Sequence, residues 1–514
     1  MNHPRSGFAA PPQGGAAGGP AKPDPRRLLG RLVTCVALTA ALPQSGWAAN
    51  TAATPCRLRG VEHEALCGSV QRALDPAQPN ATQIAVHYAV LPALARNKLP
   101  DPVFFFAGGP GQSAIEIAPQ VAGLLARFAN RRDIVLIDQR GTGRSAPLLC
   151  EAEDPALPLA ELFTPDRQRE RIAACLLKLM VLPHGDLRFY TTTLAMQDAD
   201  AVRAALGAER INLVGASYGT RAVREYQRQF PQRVRRVVID GVAPPDMALP
   251  ASSSADAQAV LDALLRACAA EPACARRHPR LAEDWHALLA SLPRRVTVAH
   301  PSTGERETFE LRRDRLLAAV RAPLYVPALA SALPAALSAA AQEGRFEPLF
   351  ALGAALAPRT ANALAMGMHF SVICSEDLAV VAPPQAAPPG ADFGDGFEQL
   401  YRRACADWPR GTVPAAFYTL PAAATPVLLL SGGLDPATPP RHGERVARAL
   451  GAKARHVVVP NAGHGLLGIG CARDLLWRFI DADDDAAALA LDAGCLAAIP
   501  RPPAFAAAGS GSGP

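Results

Sequence analysis

Short apolar runs alternate along the chain with longer segments whose apolar residues recur at helical spacing. The short runs predict strands, which cover residues 82–91, 103–107, 133–137, 211–214, 234–239, 427–430 and 456–459. Helices are predicted between several of them, at about residues 114–128, 193–206 and 220–229. The first run alternates, but the others are mainly apolar, which is typical of a parallel sheet with helices on both faces. The pattern therefore predicts an α/β fold.

The alternation of strands and helices is interrupted in the second half of the chain. Residues 242–423 are rich in Ala and Leu and mostly helical in pattern, with one predicted hairpin around residues 296–311. We therefore expect one α/β core with a helical insertion. The expected parts are a leader (1–48), the first part of the core (49–241), a helical cap insertion (242–423), the second part of the core (424–500) and a disordered tail (501–514).

The N-terminus has the pattern of a secretory signal peptide. Residues 26–31 (RRLLGR) form a basic n-region, and residues 32–42 form an apolar run too short for a membrane span. Residues 46–48 (GWA) then offer small residues at the positions that a signal peptidase reads. We expect cleavage near Ala48 or Ala49 and export to the periplasm or the medium, between which the sequence does not decide. The alternative is a buried N-terminal helix. No other stretch predicts a transmembrane anchor.

Composition and charge narrow the class of protein. Hydrophobic residues make up 49% of the chain and charged residues 19%, which is typical of a globular protein. The formal net charge is +6, of which +4 lies in the first 48 residues, so the rest of the chain carries little net charge. Because there is no basic stripe, we expect no nucleic-acid partner.

The cysteines agree with export. The sequence has 11, of which Cys35 lies in the predicted signal peptide. An even number in the remainder of an exported chain predicts disulfides, although the sequence allows many connectivities. The couples that are close in sequence are Cys56 and Cys67, Cys150 and Cys175, Cys268 and Cys274, Cys374 and Cys405, and Cys471 and Cys495. Zinc binding is the alternative, but Cys-x-x-Cys does not occur, and we expect no metal.

The candidate chemistry begins at Ser217, in the segment GASYG between a predicted strand and a predicted helix. A Gly-x-Ser-x-Gly turn in that context exposes the serine at the top of a sheet. A serine needs a base, and the base needs an acid to orient it. Asp435 and His464 follow the next two strands in that order. Each alone could be an ordinary loop residue, but their joint placement predicts a Ser–His–Asp triad.

The loop Gly108–Gly111 follows the strand at residues 103–107. Its glycines allow close backbone approach, as an oxyanion-binding loop requires, and the N–H of Tyr218 is the expected second donor. A phosphate-binding loop is the alternative, but no Gly-Lys-Ser/Thr follows.

Together these segments resemble the exported α/β-hydrolase serine aminopeptidases related to tripeptidyl aminopeptidase and prolyl aminopeptidase. The matching motifs are GGPGQS (108–113), DQRGTGRS (138–145), GASYGT (215–220), GGLDPATP (432–439) and AGHG (462–465). The resemblance runs from about Cys56 to Cys495. It implies an α/β-hydrolase fold, a cap over the active site, and a tripeptidyl-aminopeptidase-like C-terminal part. It also implies a Ser217–Asp435–His464 triad, an oxyanion hole formed by Gly109 and Tyr218, and no cofactor.

One residue departs from the family pattern. Ala107 stands where prolyl aminopeptidases often have a histidine before GGPG, which weakens the expectation of proline specificity.

Two further segments with charged residues admit two interpretations each. Glu376 and Asp377 end an apolar segment, so they could bind a substrate ammonium, or they could form a solvated turn or helix cap. The segment DQRGTGRS (138–145) is more consistent with a structural turn than with direct substrate contact.

The sequence thus predicts an exported serine peptidase that acts on peptides from the N-terminus through an acyl-enzyme on Ser217. An esterase or other small-molecule hydrolase with the same triad is the first alternative. A catalytically silent binding protein on a hydrolase scaffold is the second. Peptide length, side-chain preference and oligomeric state are not predicted.

Overall fold

A computed structural model describes residues 51–164, 166–355, 364–378 and 391–505. The predicted signal peptide and its cleavage site lie outside the described residues, as do residues 506–514 of the predicted tail. Within the described ranges, no helix has the length and apolar character that a membrane span requires.

A twisted mixed sheet forms the centre of the described chain. Its strands are β1 (Thr51–Cys56), β2 (Ala65–Ala73), β3 (Gln83–Leu91), β4 (Val103–Phe106), β5 (Ile134–Ile137), β6 (Ile211–Ala216), β7 (Val234–Asp240), β10 (Val427–Gly432) and β11 (Ala454–Val459). Their order across the sheet is β1-β2-β3-β5-β4-β6-β7-β10-β11. The first four strands in this order, β1, β2, β3 and β5, pair antiparallel with one another. From β5 across the sheet to β11, neighbouring strands pair in parallel.

The helices that flank the sheet precede and follow the cap segment along the chain. They are α1 (Ala118–Leu124), α2 (Leu159–Leu162), α3 (Arg167–Met180), α4 (Thr192–Ala205), α5 (Tyr218–Gln229), α15 (Pro440–Leu450), α16 (Ala472–Asp481), α17 (Asp485–Leu489) and α18 (Gly494–Ala497). Short 3₁₀ turns occur at Phe128–Asn130, Leu187–Phe189, Pro231–Arg233, Ala415–Tyr418 and Gly451–Lys453.

The segment between β7 and β10 is mostly helical. Its elements are α6 (Leu249–Ala270), α7 (Pro272–Arg277), α8 (Leu281–Ala290), the hairpin β8 (Arg294–Ala299) and β9 (Arg306–Leu311), α9 (Arg313–Leu324), α10 (Pro327–Ala330), α11 (Leu333–Glu343), α12 (Glu347–Ala354), α13 (Met366–Val372), a π-helical turn at Ile373–Asp377, and α14 (Gly396–Asp407).

This segment packs in two different ways. Its first part, up to α12, encloses an apolar core of its own around the buried Trp285. Its second part, α13 and α14, contributes Phe370 and Trp408 to the core beneath the sheet. Residues 501–505 lie against the first part, where the Phe505 N–H donates to Ser331 O at 2.9 Å. These residues belong to the segment 501–514 that we predicted as a tail.

The sequence pattern found the apolar strands but not the first two. β1 is an edge strand and β2 is its neighbour, and the described side chains of both are largely exposed or half-exposed, so the two strands lack the continuous apolar run of the parallel strands. The five predicted cysteine couples are all disulfide-bonded in the structure.

The parallel strands place the candidate residues together. The loops that follow β4, β6, β7, β10 and β11 all leave the carboxyl edge of the sheet. That edge is where open α/β sheets bind their ligands.

Candidate active site

Ser217 stands at a sharp turn between β6 and α5. Its φ is +56°, in the left-handed region that serine seldom adopts. Gly215 and Gly219 permit the turn, because a Cβ at Gly215 would lie 2.4 Å from Gly219 O, and one at Gly219 would lie 2.1 Å from Phe106 O. The turn therefore holds the Ser217 side chain at the carboxyl edge of the sheet.

His464 and Asp435 meet in the loops that follow β11 and β10. His464 Nδ1 lies 2.8 Å from Asp435 Oδ2. The Asp435 side chain is 0% exposed, whereas the His464 side chain keeps 18% of its surface exposed. Because Nδ1 faces the carboxylate, it carries the ring proton, and Nε2 is left as the basic nitrogen.

Thr438 is a part of this arrangement that sequence reasoning missed. Its Oγ1 donates to Asp435 Oδ2 at 2.7 Å and lies 3.1 Å from His464 Nδ1. The backbone N–H groups of Ala437 and Thr438 donate to Asp435 Oδ1 at 2.8 and 2.9 Å. Every oxygen of the carboxylate is therefore bonded, which fixes the plane in which it holds the imidazole. The motif GGLDPATP contains this threonine, but its spacing alone does not reveal the hydroxyl contact.

The electrostatics of the pair fit a general base. Burial by itself would lower the pKa of His464, but the charge of Asp435, its hydrogen bond and the charge of Asp240 raise that pKa above its usual value. Burial by itself would raise the pKa of Asp435, but His464 and the bonds from Thr438 hold it below its usual range. Asp435 is therefore ionised wherever His464 titrates.

Asp240, the last residue of β7, connects the serine turn to the histidine loop. Its backbone O accepts from the Ser217 N–H at 2.8 Å. Its Oδ2 accepts from the N–H groups of Leu466 and Leu467 at 2.6 and 3.0 Å. Burial raises the pKa of Asp240 to about 6. This aspartate was not among the predicted site residues, because a charged residue that ends an apolar strand has no distinctive spacing.

Gly241 lies against His464, next in sequence to the Asp240 whose backbone O accepts from the Ser217 N–H. Gly241 follows Asp240, and a Cβ at Gly241 would lie 3.2 Å from His464 Cε1. Among the described residues, no hydrogen bond joins Ser217 Oγ to His464. A serine–histidine bond is often long without substrate and tightens in the complex. The three predicted triad residues thus lie at one edge of the sheet, with the histidine already oriented by the acid.

The predicted oxyanion loop lies directly beside the serine. A Cβ at Gly108 would be 3.2 Å from Ser217 Cβ. The Gly108 N–H donates to Gln112 Oε1 at 3.3 Å, whereas the N–H of the exposed Gly109 bonds to no other described residue. The Tyr218 N–H opens α5 and so has no partner within the helix. Gly109 and Tyr218 are therefore the two donors that remain available.

Glu376 and Asp377 are not placed as a substrate ammonium would require. Both side chains are 0% exposed, in the π-helical turn after α13. Arg221 of α5 donates to both oxygens of Asp377 at 2.9 Å and lies 3.5 Å from Glu376 Oε2. Glu376 accepts from the N–H and hydroxyl of Thr192 at 2.6 and 2.9 Å. Because both acids are buried against Arg221, neither the amine-binding interpretation nor the solvated-turn interpretation is supported. The sequence showed the two acids but gave no sign of this buried arginine.

The segment DQRGTGRS (138–145) also has internal partners. Asp138 accepts from Ser113 Oγ at 2.5 Å and from the Arg144 N–H at 3.1 Å. Arg140 donates to both oxygens of Asp198 at 2.7 and 2.9 Å. Asp138 and Arg140 are each 1% exposed. These contacts favour the structural interpretation over direct substrate contact.

Two adjacent cavities, which share lining residues, lie between the candidate site and the cap segment. The inner one has a volume of about 160 Å³ and is lined by Gly109 and by Ala437, next to the acid loop. The outer one has a volume of about 880 Å³, within the range of small-molecule and peptide pockets. Both are lined by Ser253, Arg321, Tyr325 and Phe397.

Tyr325 connects the inner cavity to the histidine. Its backbone O accepts from the His464 N–H at 3.0 Å, and its ring meets the imidazole edge-on at 5.5 Å between centroids. The cap segment therefore contacts the loop of His464 directly. Among the described residues, no group of three or more His, Cys, Asp or Glu side chains could hold a metal ion.

Comparisons with known proteins agree with this geometry. Residues 101–293 match a family model described as alpha/beta hydrolase fold, and residues 392–484 match one described as TAP-like protein. The serine protease Hip1 of Mycobacterium tuberculosis is 32% identical over 210 residues, which cover 38% of this chain and 39% of that protein. The tripeptidyl aminopeptidase of Streptomyces lividans is 32% identical over 197 residues, which cover 35% of each chain.

A solved structure shows the same kind of similarity at lower identity. The proline iminopeptidase of Mycobacterium smegmatis is 17% identical, with a TM-score of 0.36, and the match covers 82% of this chain and 99% of that one. The chain thus spans well under two thirds of the length of the curated relatives that it matches in sequence.

The fold and the matched segments define the chain as an α/β-hydrolase. Within that class, its residues 392–484 match the TAP-like model, and part of the chain is similar to relatives named serine protease and tripeptidyl aminopeptidase. The resemblance predicted from the five motifs is thereby confirmed.

Proposed function

We propose that the chain is a serine peptidase that removes short peptides or single residues from the N-termini of peptides. The observation that carries the proposal is the His464–Asp435 pair, which lies at the same sheet edge as the strained Ser217 turn and leaves His464 Nε2 free. A nucleophile, an oriented base and two open N–H donors are the parts that acyl transfer needs.

The reaction would follow from the positions of these groups. Ser217 Oγ attacks the scissile carbonyl carbon while His464 Nε2 takes the hydroxyl proton. The N–H groups of Gly109 and Tyr218 bind the oxygen that becomes negative. His464 then returns the proton to the leaving amine, and Asp435 stabilises the imidazolium that exists between the two steps. Water then attacks the acyl carbon while His464 Nε2 takes one of its protons, and Ser217 Oγ leaves with that proton as the acyl group is released.

A peptidase that acts at the N-terminus needs a carboxylate in the cleft, and Asp392 is the best placed one. It is 8% exposed and lines the outer cavity. Its Oδ2 accepts from Trp285 Nε1 at 2.8 Å and from Gln258 Nε2 at 3.2 Å. Its Oδ1 makes no hydrogen bond among the described residues and is engaged only by a long ion pair with Arg313 at 3.9 Å, which leaves room for a second cation. We propose that this oxygen accepts the substrate ammonium.

Export is part of the proposal. Five disulfides fit a chain that folds in an oxidising compartment. The substrates would then be peptides outside the cytoplasm, in the periplasm or the medium.

The test compares a free tripeptide amide with its N-acetylated twin, a proline amide and a short-chain ester. We expect cleavage of the free tripeptide and little cleavage of the acetylated twin, with no activity in Ser217→Ala. Asp392→Asn should raise KM for the free tripeptide about tenfold and leave the acetylated twin unaffected, because one charge-assisted bond is lost. Cleavage of the ester alone would replace the peptidase with an esterase.

A further inference from the structure

Arg321 lies where the inner and outer cavities join. It belongs to the last turn of α9 and lines both spaces, together with Ser253, Tyr325 and Phe397. The inner cavity also contains Gly109, the expected oxyanion donor. A substrate that extends from Ser217 into the outer cavity must therefore pass the guanidinium of Arg321.

No carboxylate of the described residues pairs with this guanidinium. Its Nη2 donates to Ser253 Oγ and, at 3.4 Å, to Tyr325 OH, both of which are neutral. Its buried Nε bonds to no described residue. The sequence of residues 356–363 and 379–390, which the structure does not describe, contains no Asp or Glu. Arg321 is half-buried, and an arginine withdrawn from water usually has a counter-charge, so this one lacks a partner that it would be expected to have.

The other arginines of the outer cavity differ from Arg321 in this respect. Arg312 lies 3.8 Å from Asp314, and Arg313 lies 3.9 Å from Asp392 while donating to its backbone O at 2.9 Å. The unpaired charge is therefore confined to the junction between the two cavities.

Aromatic rings hold the Arg321 guanidinium in place. Its Cζ lies 4.6 Å from the ring centroid of Phe397 and 5.9 Å from that of Tyr325. Such rings reduce the water around a cation and limit its orientations. A guanidinium positioned in this way is preorganised to bind a carboxylate through two parallel hydrogen bonds.

We propose that Arg321 binds an acidic side chain of the substrate, on a residue at the acyl side of the scissile bond. This inference rests on the proposed peptidase function and adds a preference to it. Glutamate or aspartate at one of the released positions would supply the missing counter-charge. Arg321 would then be a specificity-determining residue.

The test uses free tripeptide amides in which Glu or Gln replaces alanine at each of the three positions in turn. Glu and Gln have nearly the same shape, so their ratio of kcat/KM isolates the charge. We expect Glu to exceed Gln by about tenfold or more at one position, as one charge-assisted contact would give. In Arg321→Gln that ratio should fall to about one, while Arg321→Lys should retain part of it.

The control is Arg266→Gln, which removes the same charge from an exposed position of α6 and should leave the Glu-to-Gln ratio unchanged. Thermal unfolding of Arg321→Gln checks that the cap remains folded. The proposal is overturned if wild type shows no Glu preference at any position, or if the preference persists in Arg321→Gln. Hydrolysis of the trialanine parent reports separately on the peptidase function, so the two failures are distinguishable.

Discussion

Two of the buried acid–base pairs among the described residues resemble each other in distance but not in surroundings. Asp435 lies 2.8 Å from His464, and Asp377 lies 2.9 Å from Arg221. Both carboxylates are 0% exposed. The His464 side chain, however, is 18% exposed with Nε2 free, whereas Arg221 is 0% exposed. A buried carboxylate is thus common to both pairs. Only the Asp435–His464 pair has a partner with a free nitrogen, and only that pair can exchange protons with a substrate.

We call Asp377–Arg221 the closed pair and Asp435–His464 the open pair. The closed pair has a consequence for stability that the open pair lacks. Burial raises the pKa of Glu376 to about 7, even though the positive charge of Arg221 opposes that shift. The Arg221 cluster joins α5 to the turn after α13 and, through the Leu249 N–H at 2.8 Å from Asp377 Oδ1, to the start of the cap. We infer that this cluster fixes the cap to α5, the helix that directly follows Ser217.

The largest expected effect concerns the open pair. Asp435→Asn removes the charge that orients His464 and stabilises its protonated form, so kcat should fall by about 10⁴-fold. Because the substitution preserves shape, the unfolding temperature should change little. Steady-state kinetics and thermal unfolding of the same preparation check both statements, and a variant with nearly full activity would remove Asp435 from the triad.

Arg221→Met should instead act on stability. It would leave Asp377 and Glu376 buried without their counter-charge, which costs about 3–5 kcal/mol in comparable buried pairs. Urea unfolding measures that loss. Arg345→Met, at an exposed pair with Glu343, is the control and should change stability little, because water screens an exposed ion pair. Equal losses in the two variants would contradict the contrast.

Thr438→Val should weaken the open pair without abolishing it. The hydroxyl bond to Asp435 is lost, which is worth about 1.5–3 kcal/mol for a charged acceptor and corresponds to about 10- to 100-fold in kcat. Thr438→Ser keeps the hydroxyl and should recover most of the rate. If the serine variant were as slow as the valine variant, the methyl group and not the bond would matter.

The smallest effect is a shift in pH dependence. Activity requires neutral His464, so kcat/KM should fall as the pH drops through the raised pKa of His464, above its ordinary value of 6.5. Asp240→Asn removes one of the negative charges that raise this pKa, so the acid limb should move to lower pH. A pH profile of both proteins tests this, and an unmoved limb would show that Asp240 does not act on His464.

Much of this arrangement could be predicted from the sequence, because strand ends and glycines mark it. Ser217, Asp435 and His464 each follow an apolar strand, and the GASYG turn needs its two glycines for steric reasons. The partners of buried acids could not be predicted in the same way. Arg221 lies 156 residues from Asp377 in sequence, and only the folded chain brings them together. Arg321 and Asp392 could not be predicted for the same reason, because their significance depends on a cavity that only the folded chain forms between distant helices.

The most direct test of the account is covalent labelling of the folded protein with a fluorophosphonate, followed by mass spectrometry of its peptides. We predict a single label, on the peptide that contains Ser217, and no label on Ser217→Ala. Labelling of Asp435→Asn should be strongly slowed, whereas Glu376→Gln should label at close to the wild-type rate. A folded wild-type protein that does not react, or a Ser217→Ala variant that reacts equally well, would contradict the assignment of Ser217 as the nucleophile.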